Sequence, residues 1–275
     1  MLNLQKIVIP ILYLIAILSV VLTAQLSGYE NLLKDISQEN GFFETISVIF
    51  LFAIFIYGIV SFIKNRDTFS RLVLFFILAF SLFAFLASME EISWGQQIFH
   101  FQSSEYFLEK NLQQETNLHN MIDANLFSSI IYTSIYTLFV FIPLLYKVFR
   151  SKLERFRVLR YFDINPHTIL VTLFASVFQL YFYNDIGVFV DMLSHLLALL
   201  LFAYFIWSSE KDFWLSAHFV AIVVATILSM LSCEIYSFHN MQYEIREAFV
   251  VLSALLIFVE LIQKEKVKKE TAFKV

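Results

Sequence analysis

Apolar windows long enough to cross a lipid bilayer recur along this chain. The hydrocarbon core of a bilayer is about 30 Å thick and needs roughly 20 apolar residues of α-helix. We predict eight such spans, at residues 7–26, 44–63, 72–92, 126–147, 167–183, 188–207, 214–232 and 246–263. Their Phe, Leu, Ile and Val residues run almost without alternation, which favours lipid-embedded helices over membrane β-strands. The sequence therefore predicts an all-α, polytopic integral membrane helix bundle.

Composition excludes most other classes of protein. Hydrophobic residues make up 59% of the chain and charged residues 15%, which is far from a soluble or disordered chain. With 5 glycines, 3 prolines and a single cysteine, the chain is neither collagen-like nor a disulfide scaffold. It contains no Walker, Rossmann, C-x-x-C or nucleophile-elbow motif, which disfavours nucleotide, dinucleotide, thiol-redox and α/β-hydrolase chemistry. We predict one integral membrane domain over residues 1–275.

The basic residues predict the orientation of the chain. Of 19 Lys and Arg residues, 16 fall before the first span, in alternate loops, or after the last span. Lys34, Lys110 and Arg246 fall on the opposite side. By the positive-inside rule, both termini are cytoplasmic in a multi-pass protein of the bacterial inner membrane. The basic run from Lys147 to Arg160 then fixes topology and contacts anionic lipid, and we predict membrane lipids but no nucleic acid as partners.

The segment 93–125 is the one predicted outer loop with room for structure of its own. Trp94 is the expected interfacial anchor, and Gly95 is expected to end the third helix. Ser103 or Ser104 could cap a short amphipathic helix that lies on the membrane surface. If the following stretch is helical, the three side chains spaced four residues apart project from one face; they are Glu115, His119 and Asp123.

Titratable residues concentrate on the predicted outer side. Asp191 and His195 share a helix face within the sixth span, where charged groups are costly unless they are paired or wet. We therefore predict that side chains from several helices converge in a polar cavity open to the outside. The predicted members are Glu44, Glu90, Glu91, Asp191, His195 and Glu234, with His119 or His239. We interpret His100, His167 and His218 as interfacial or packing residues.

Two segments carry a resemblance to a known family. Residues 89–99 (MEEISWGQQIF) and 111–120 (NLQQETNLHN) resemble a paired signature of uncharacterised bacterial polytopic membrane proteins. The resemblance implies a bacterial inner-membrane protein and brings no activity, ligand or catalytic residue with it. The chain is more loosely similar to membrane-embedded metal hydrolases of the alkaline ceramidase type, because both combine carboxylates, His and Ser near a membrane surface. It lacks the His-x3-His pair expected in those enzymes.

Three functional hypotheses follow. The first is an intramembrane, metal-dependent hydrolase of a lipid or lipid-linked substrate, with a divalent metal such as zinc. Its metal ligands would come from His195, Asp191, His119 and His239. Its general base would be Glu90 or Glu91, and Ser93 would bind the substrate. Further candidates for the polar site are Glu44, Glu115, Asp123 and Glu234. The second is an ion- or proton-coupled transporter, which the scarcity of Gly and Pro disfavours. The third is a non-catalytic assembly protein that docks a partner on the outer loop.

Overall fold

The structure, a computed structural model, describes residues 41–111, 114–118, 121, 131, 133–156, 158–178, 186–208, 212–231 and 239–272. Side chains are described for these residues except 97, 186–191, 231, 239–243 and 270–272. The described residues form helices and turns, with no β-strand among them. The predicted span 7–26 and the residues His119, Asp123 and Glu234 lie outside this part of the chain.

Three helices of the described chain are long and apolar enough to cross a membrane. They are α1 (Phe42–Asn65), α2 (Arg71–Glu91) and most of α9, the window Phe213–Met230. These bounds lie within three residues of the predicted spans 44–63, 72–92 and 214–232. Shorter apolar helices cover Thr133–Val148, Pro166–Val177 and Met192–Ser208, parts of three further predicted spans. The all-helical prediction is therefore confirmed for the described residues, and these three helices indicate a membrane protein.

The chain divides into two compact units. The first unit comprises Met1–Phe43 and Tyr132–Ser253, and the second unit comprises Glu44–Ile131 and Ala254–Val275. Helix α10 (His239–Ala272) contributes residues to both units.

Helices α1 and α2 of the second unit pack through aromatic rings and small residues. The Phe55 and Phe85 rings lie 4.9 Å apart between their centroids. Gly58 faces Ser81 so closely that an added Cβ would lie 1.8 Å from the Ser81 Oγ. Such close approach of backbones is typical of helix pairs in membranes. The hydrophobic effect does not drive helix association there, and small residues allow close van der Waals packing instead.

Three short helical pieces follow α2 in the second unit. A 3₁₀ turn at Ser93–Gly95 leads into α3 (Gln96–Phe99), and α4 (Glu105–Lys110) comes after an irregular segment. The N-cap residue of α4 is Ser104, which is one of the two positions predicted from the sequence. Its side chain makes no capping hydrogen bond. The residues from Gln114 to Leu118 are not helical, so a shared helix face beginning at Glu115 does not form there.

The first unit is a bundle built around one buried helix. Helix α5 (Thr133–Val148) contains a π-helical segment at Thr137–Phe141, and α6 (Arg150–Leu153) follows it. Helix α7 (Pro166–Val177) is buried at every position from His167 to Val177. Around it lie α8 (Ile186–Ser208), α9 (Phe213–Leu231) and the first part of α10. Because α7 is buried on all sides, each of its polar side chains is costly unless it forms a hydrogen bond with a neighbouring helix or with its own backbone.

Candidate functional sites

The chain turns in an unusual backbone conformation directly after α2. Three consecutive residues have left-handed φ angles, namely Ser93 at 46°, Trp94 at 54° and Gly95 at 90°. Glycine adopts this region freely, whereas Ser and Trp do so at a cost of about 1 kcal/mol or more each. Backbone strain of this kind persists only where the surroundings hold it, and it clusters at functional sites.

A buried hydrogen-bond cluster holds this turn against the residues around position 115. The Ser93 hydroxyl donates to Glu115 Oε2 at 2.5 Å, and Asn117 Nδ2 donates to the same oxygen at 3.0 Å and to Ser93 Oγ at 3.0 Å. Asn111 Nδ2 in turn donates to Asn117 Oδ1 at 2.7 Å. We call Ser93, Asn111, Glu115 and Asn117 the Glu115 cluster. Ser93 and Asn117 are buried and Glu115 is half-buried, so the cluster has one edge towards solvent.

A second group of contacts supports the Glu115 cluster from the side. Gln96 Oε1 accepts hydrogen bonds from the Thr116 backbone N–H at 2.7 Å and from the Ser103 hydroxyl at 3.1 Å. The Ser103 hydroxyl also lies 2.8 Å from the Gln114 carbonyl oxygen. Helix α3, the segment before α4 and the residues around Glu115 are thereby fixed to one another.

Glu90 holds the turn at Trp94 against Leu118 by accepting a hydrogen bond from each. Its Oε1 accepts from Trp94 Nε1 at 2.6 Å, and its Oε2 accepts from the Leu118 backbone N–H at 2.6 Å. Each carboxylate oxygen of Glu90 therefore already has a donor within the described residues. Its neighbour Glu91 and the more distant Glu44 are both half-buried.

The loop that carries the Glu115 cluster also exposes large apolar side chains, which we call the apolar rim. Large apolar side chains on α3, α4 and the residues that follow are exposed to more than half of their area, among them Ile98 at 59%, Phe99 at 76%, Tyr106 at 60% and Leu118 at 57%. Exposed apolar groups around a polar centre are typical of surfaces that bind amphiphiles or membranes.

The predicted outward cavity is described only in part. Ser93 and Glu115 meet in the second unit, and Glu90 bonds there to Trp94 and Leu118. His195 belongs to the first unit, as do the backbones of Asp191 and His239, whose side chains lie outside the described set. Convergence of all these groups in one cavity stays a prediction.

In the first unit, His195 is wholly buried and surrounded by hydroxyl groups. Its Nδ1 lies 2.8 Å from the Tyr136 hydroxyl and 3.2 Å from Ser176 Oγ, and its Nε2 lies 3.0 Å from Thr226 Oγ1. The Tyr136 and Ser176 hydroxyls are themselves 2.7 Å apart. Four helices, α5, α7, α8 and α9, thus each contribute one side chain to what we call the His195 network.

The described residues do not fit a metal. Both ring nitrogens of His195 lie within hydrogen-bond distance of hydroxyl groups, so neither is available to a metal ion in this arrangement. No group of three or more His, Cys, Asp or Glu side chains able to hold a metal ion occurs in the described part of the chain. The metal prediction for His119, Asp191 and His239 lies beyond the described side chains.

A histidine pair lies at the other end of α7 and α9. His167 Nδ1 and His218 Nδ1 are 3.2 Å apart, and both side chains are buried. His167 Nε2 lies 3.7 Å from Asp212 Oδ2, and Asp212 Oδ1 caps α9 through the Trp214 N–H at 2.9 Å. The sequence predicts His167 and His218 as interfacial or packing residues, and both are buried. Their 51-residue separation gave no signal of a pair.

Comparison with known proteins adds no relative. No protein-family model, no curated protein and no solved structure matches this chain.

Proposed function

We propose that this chain is a multi-pass protein of the bacterial inner membrane that hydrolyses a lipid or lipid-linked substrate at the outer leaflet, with Glu115 as the general base. The observation that carries the proposal is the Glu115 cluster, in which a half-buried carboxylate is fixed by two buried donors beside a strained turn. The eight spans, the cytoplasmic termini and the membership of the resembling family belong to the same proposal.

The two oxygens of Glu115 have different surroundings, which suits a base. Ser93 and Asn117 both donate to Oε2, whereas Oε1 accepts no hydrogen bond from the described residues. Oε1 is thus the oxygen that can take a proton from an attacking water. The water oxygen bonds to the ester or phosphoester centre, the bond to the leaving oxygen breaks, and the proton taken by Glu115 passes to that leaving oxygen.

Ser93 and Asn117 are positioning residues in this mechanism. A carboxylate that is held by two donors keeps its orientation without reorganising when the substrate arrives, which is how preorganised groups accelerate a reaction. This assignment moves the base from Glu90 to Glu115, because Glu90 already uses both oxygens for Trp94 and Leu118. In this reaction Glu115, Ser93 and Asn117 act without binding a metal ion.

The apolar rim supports an amphiphilic substrate. Ile98, Phe99 and Leu118 expose aliphatic and aromatic surface within the same loop that carries Glu115. A lipid chain or isoprenoid tail would contact these side chains while its polar head meets the carboxylate.

The test is turnover by the purified full-length protein in nanodiscs. We would incubate it with a panel of phospholipids, acylglycerols and polyprenyl-linked esters and follow the products by mass spectrometry. For any substrate that is turned over, we expect Glu115→Gln to lower kcat by about 100-fold or more, since general-base catalysis contributes roughly 10²–10⁴. Glu105→Gln is the matched control, because Glu105 lies in the first turn of α4 in the same loop and is exposed.

Two results would overturn the proposal. Equal rates for Glu115→Gln and Glu105→Gln would remove Glu115 from the chemistry. A folded wild-type protein that releases no product from any member of the panel, but co-purifies with a stoichiometric protein partner, would replace the hydrolase with the assembly function.

A further inference from the structure

We propose that the first unit contains a proton track along the contact between α7 and α9, with His195 as its central proton acceptor. This inference is independent of the hydrolase proposal, since it uses other residues in the other unit. It rests on three features, namely the His195 network, the His167–His218 pair and a buried hydroxyl between them.

The His195 network has a consistent set of donors when the ring is neutral. Thr226 donates its hydroxyl proton to the Ile222 carbonyl at 2.8 Å, so Thr226 Oγ1 can only accept from His195 Nε2–H. Nδ1 is then the acceptor, and Tyr136 donates to it. Ser176 donates to the Leu173 carbonyl at 2.8 Å. Every polar hydrogen in the network has an acceptor.

The same network also fits a protonated ring after one hydroxyl turns. With a proton on Nδ1, His195 donates to the Tyr136 oxygen, and the Tyr136 hydroxyl turns to donate to Ser176 Oγ, 2.7 Å away. The bonds to Thr226 and to the Leu173 carbonyl do not change. The ring can therefore gain or lose a proton without leaving a buried donor unpaired, which most buried histidines cannot do.

The groups around His195 make proton transfer the chemistry that fits best. Its described hydrogen-bond partners are Tyr136 on α5, Ser176 on α7 and Thr226 on α9, none of which carries a formal charge. On its own helix, Asp191 lies one turn earlier and its side chain is outside the described set. Intramembrane histidines linked to hydroxyl groups are typical of proton pathways.

The His167–His218 pair provides a route between this network and solvent. Asp212 is more than a third exposed and lies next to His167, whose Nδ1 is 3.2 Å from His218 Nδ1, so one of the two rings can donate a hydrogen bond to the other. A proton reaching His167 Nε2 from the side of Asp212 allows His167 to release its Nδ1 proton to His218. In this step the proton donor on the side of Asp212 loses an O–H bond, His167 gains Nε2–H and loses Nδ1–H, and His218 gains Nδ1–H.

Two buried threonines, Thr168 and Thr172, lie on α7 between His167 and Ser176. His167 and Ser176 are nine residues apart on α7, or roughly 13 Å along the helix axis. Thr172 lies one turn from Ser176 on the side of His167, and its Oγ1 is buried and makes no hydrogen bond to any described group. Because buried hydroxyls are nearly always hydrogen-bonded, Thr172 is a natural relay point for a water-borne proton.

Proton flux into vesicles tests the track. The full-length protein would be reconstituted into liposomes that contain pyranine, and a potassium diffusion potential set by valinomycin would drive protons inwards. We expect flux above that of protein-free vesicles, and a loss of at least tenfold in His195→Gln. His100→Gln should keep the wild-type rate, because His100 is exposed in the second unit.

A second variant covers the case in which His195→Gln fails to fold. Tyr136→Phe combined with Ser176→Ala keeps the imidazole but removes both hydroxyls at Nδ1, and we expect the same tenfold loss. The proposal is overturned by wild-type flux equal to that of empty vesicles, or by wild-type rates in a folded His195 variant or in the double variant. Glu105→Gln, at an exposed residue of the second unit outside both clusters, should also leave the flux unchanged.

Discussion

Replacing Ser93 with alanine should loosen the loop that carries Glu115. The substitution removes a 2.5 Å hydrogen bond to a carboxylate and an acceptor for Asn117 Nδ2. A hydrogen bond to a charged group contributes about 1.5–3 kcal/mol, and a neutral one about 0.5–1.5 kcal/mol. Because Asn117 and Glu115 keep their bond to each other, we expect a net cost of about 2 kcal/mol for opening the loop.

Hydrogen exchange followed by mass spectrometry measures this cost directly. The backbone N–H groups of Glu115, Thr116 and Leu118 donate to the side chains of Asn111, Gln96 and Glu90. Their exchange therefore requires the loop to open. A cost of about 2 kcal/mol corresponds to roughly 30-fold faster exchange, at 1.36 kcal/mol for each factor of ten.

Ser104→Ala is the matched control for this measurement. Ser104 lies in the same loop and is exposed, and its side chain makes no capping hydrogen bond, so exchange of the same peptide should stay within about twofold of wild type. If Ser93→Ala leaves the exchange of residues 114–118 within threefold of wild type, the Glu115 cluster does not hold the loop and the reasoning fails.

Three further predictions concern the helices. Gly58→Ala should destabilise the protein by about 2–3 kcal/mol, because the new Cβ would overlap the Ser81 hydroxyl, and adding Ser81→Ala should recover part of the loss in a thermal unfolding assay. ¹⁵N NMR of labelled protein at neutral pH should show His195 neutral with its proton on Nε2; a proton on Nδ1 alone would contradict the assigned donors. Lys147→Met should lower the free energy of unfolding by about 1 kcal/mol, because it removes the 2.9 Å ion pair with half-buried Asp163. An unchanged midpoint in the same thermal assay would show that the pair contributes nothing.

Helix positions were the part of the fold that the sequence could predict well. The predicted spans 44–63 and 72–92 match α1 and α2 within two residues, because the length of an apolar run fixes the length of helix that lipid can cover. Local polar residues then decide the exact ends, as Ser70 does by accepting a hydrogen bond from the Val73 N–H at the start of α2.

The local geometry of the loop could not be predicted in the same way. If the stretch through Glu115 were helical, its side chain would share a face with residues four positions on. Instead the chain bends there, and Glu115 reaches back 22 residues to Ser93. The left-handed conformation of Ser93 and Trp94 sets this contact, and neither residue type favours that conformation, so local sequence preference gives no warning of it.

Contacts within the helix bundle were also beyond sequence reasoning. Tyr136 and Thr226 lie 59 and 31 residues from His195 in sequence, and His167 lies 51 residues from His218. Period and composition identify which face of a helix is polar, but they do not identify which other helix that face meets.

The two polar clusters differ in whether their hydrogen bonds can reverse, and this difference separates the functions that we propose for them. A carboxylate only accepts, so the ionised Glu115 fixes the direction of every bond that Ser93 and Asn117 make to it. Such a cluster is rigid and suits a group that must stay oriented for chemistry. In the His195 network, the imidazole and the three hydroxyls each both donate and accept. The bond between His195 and Tyr136 can therefore change direction while the heavy atoms stay in place, which is the property a proton pathway needs.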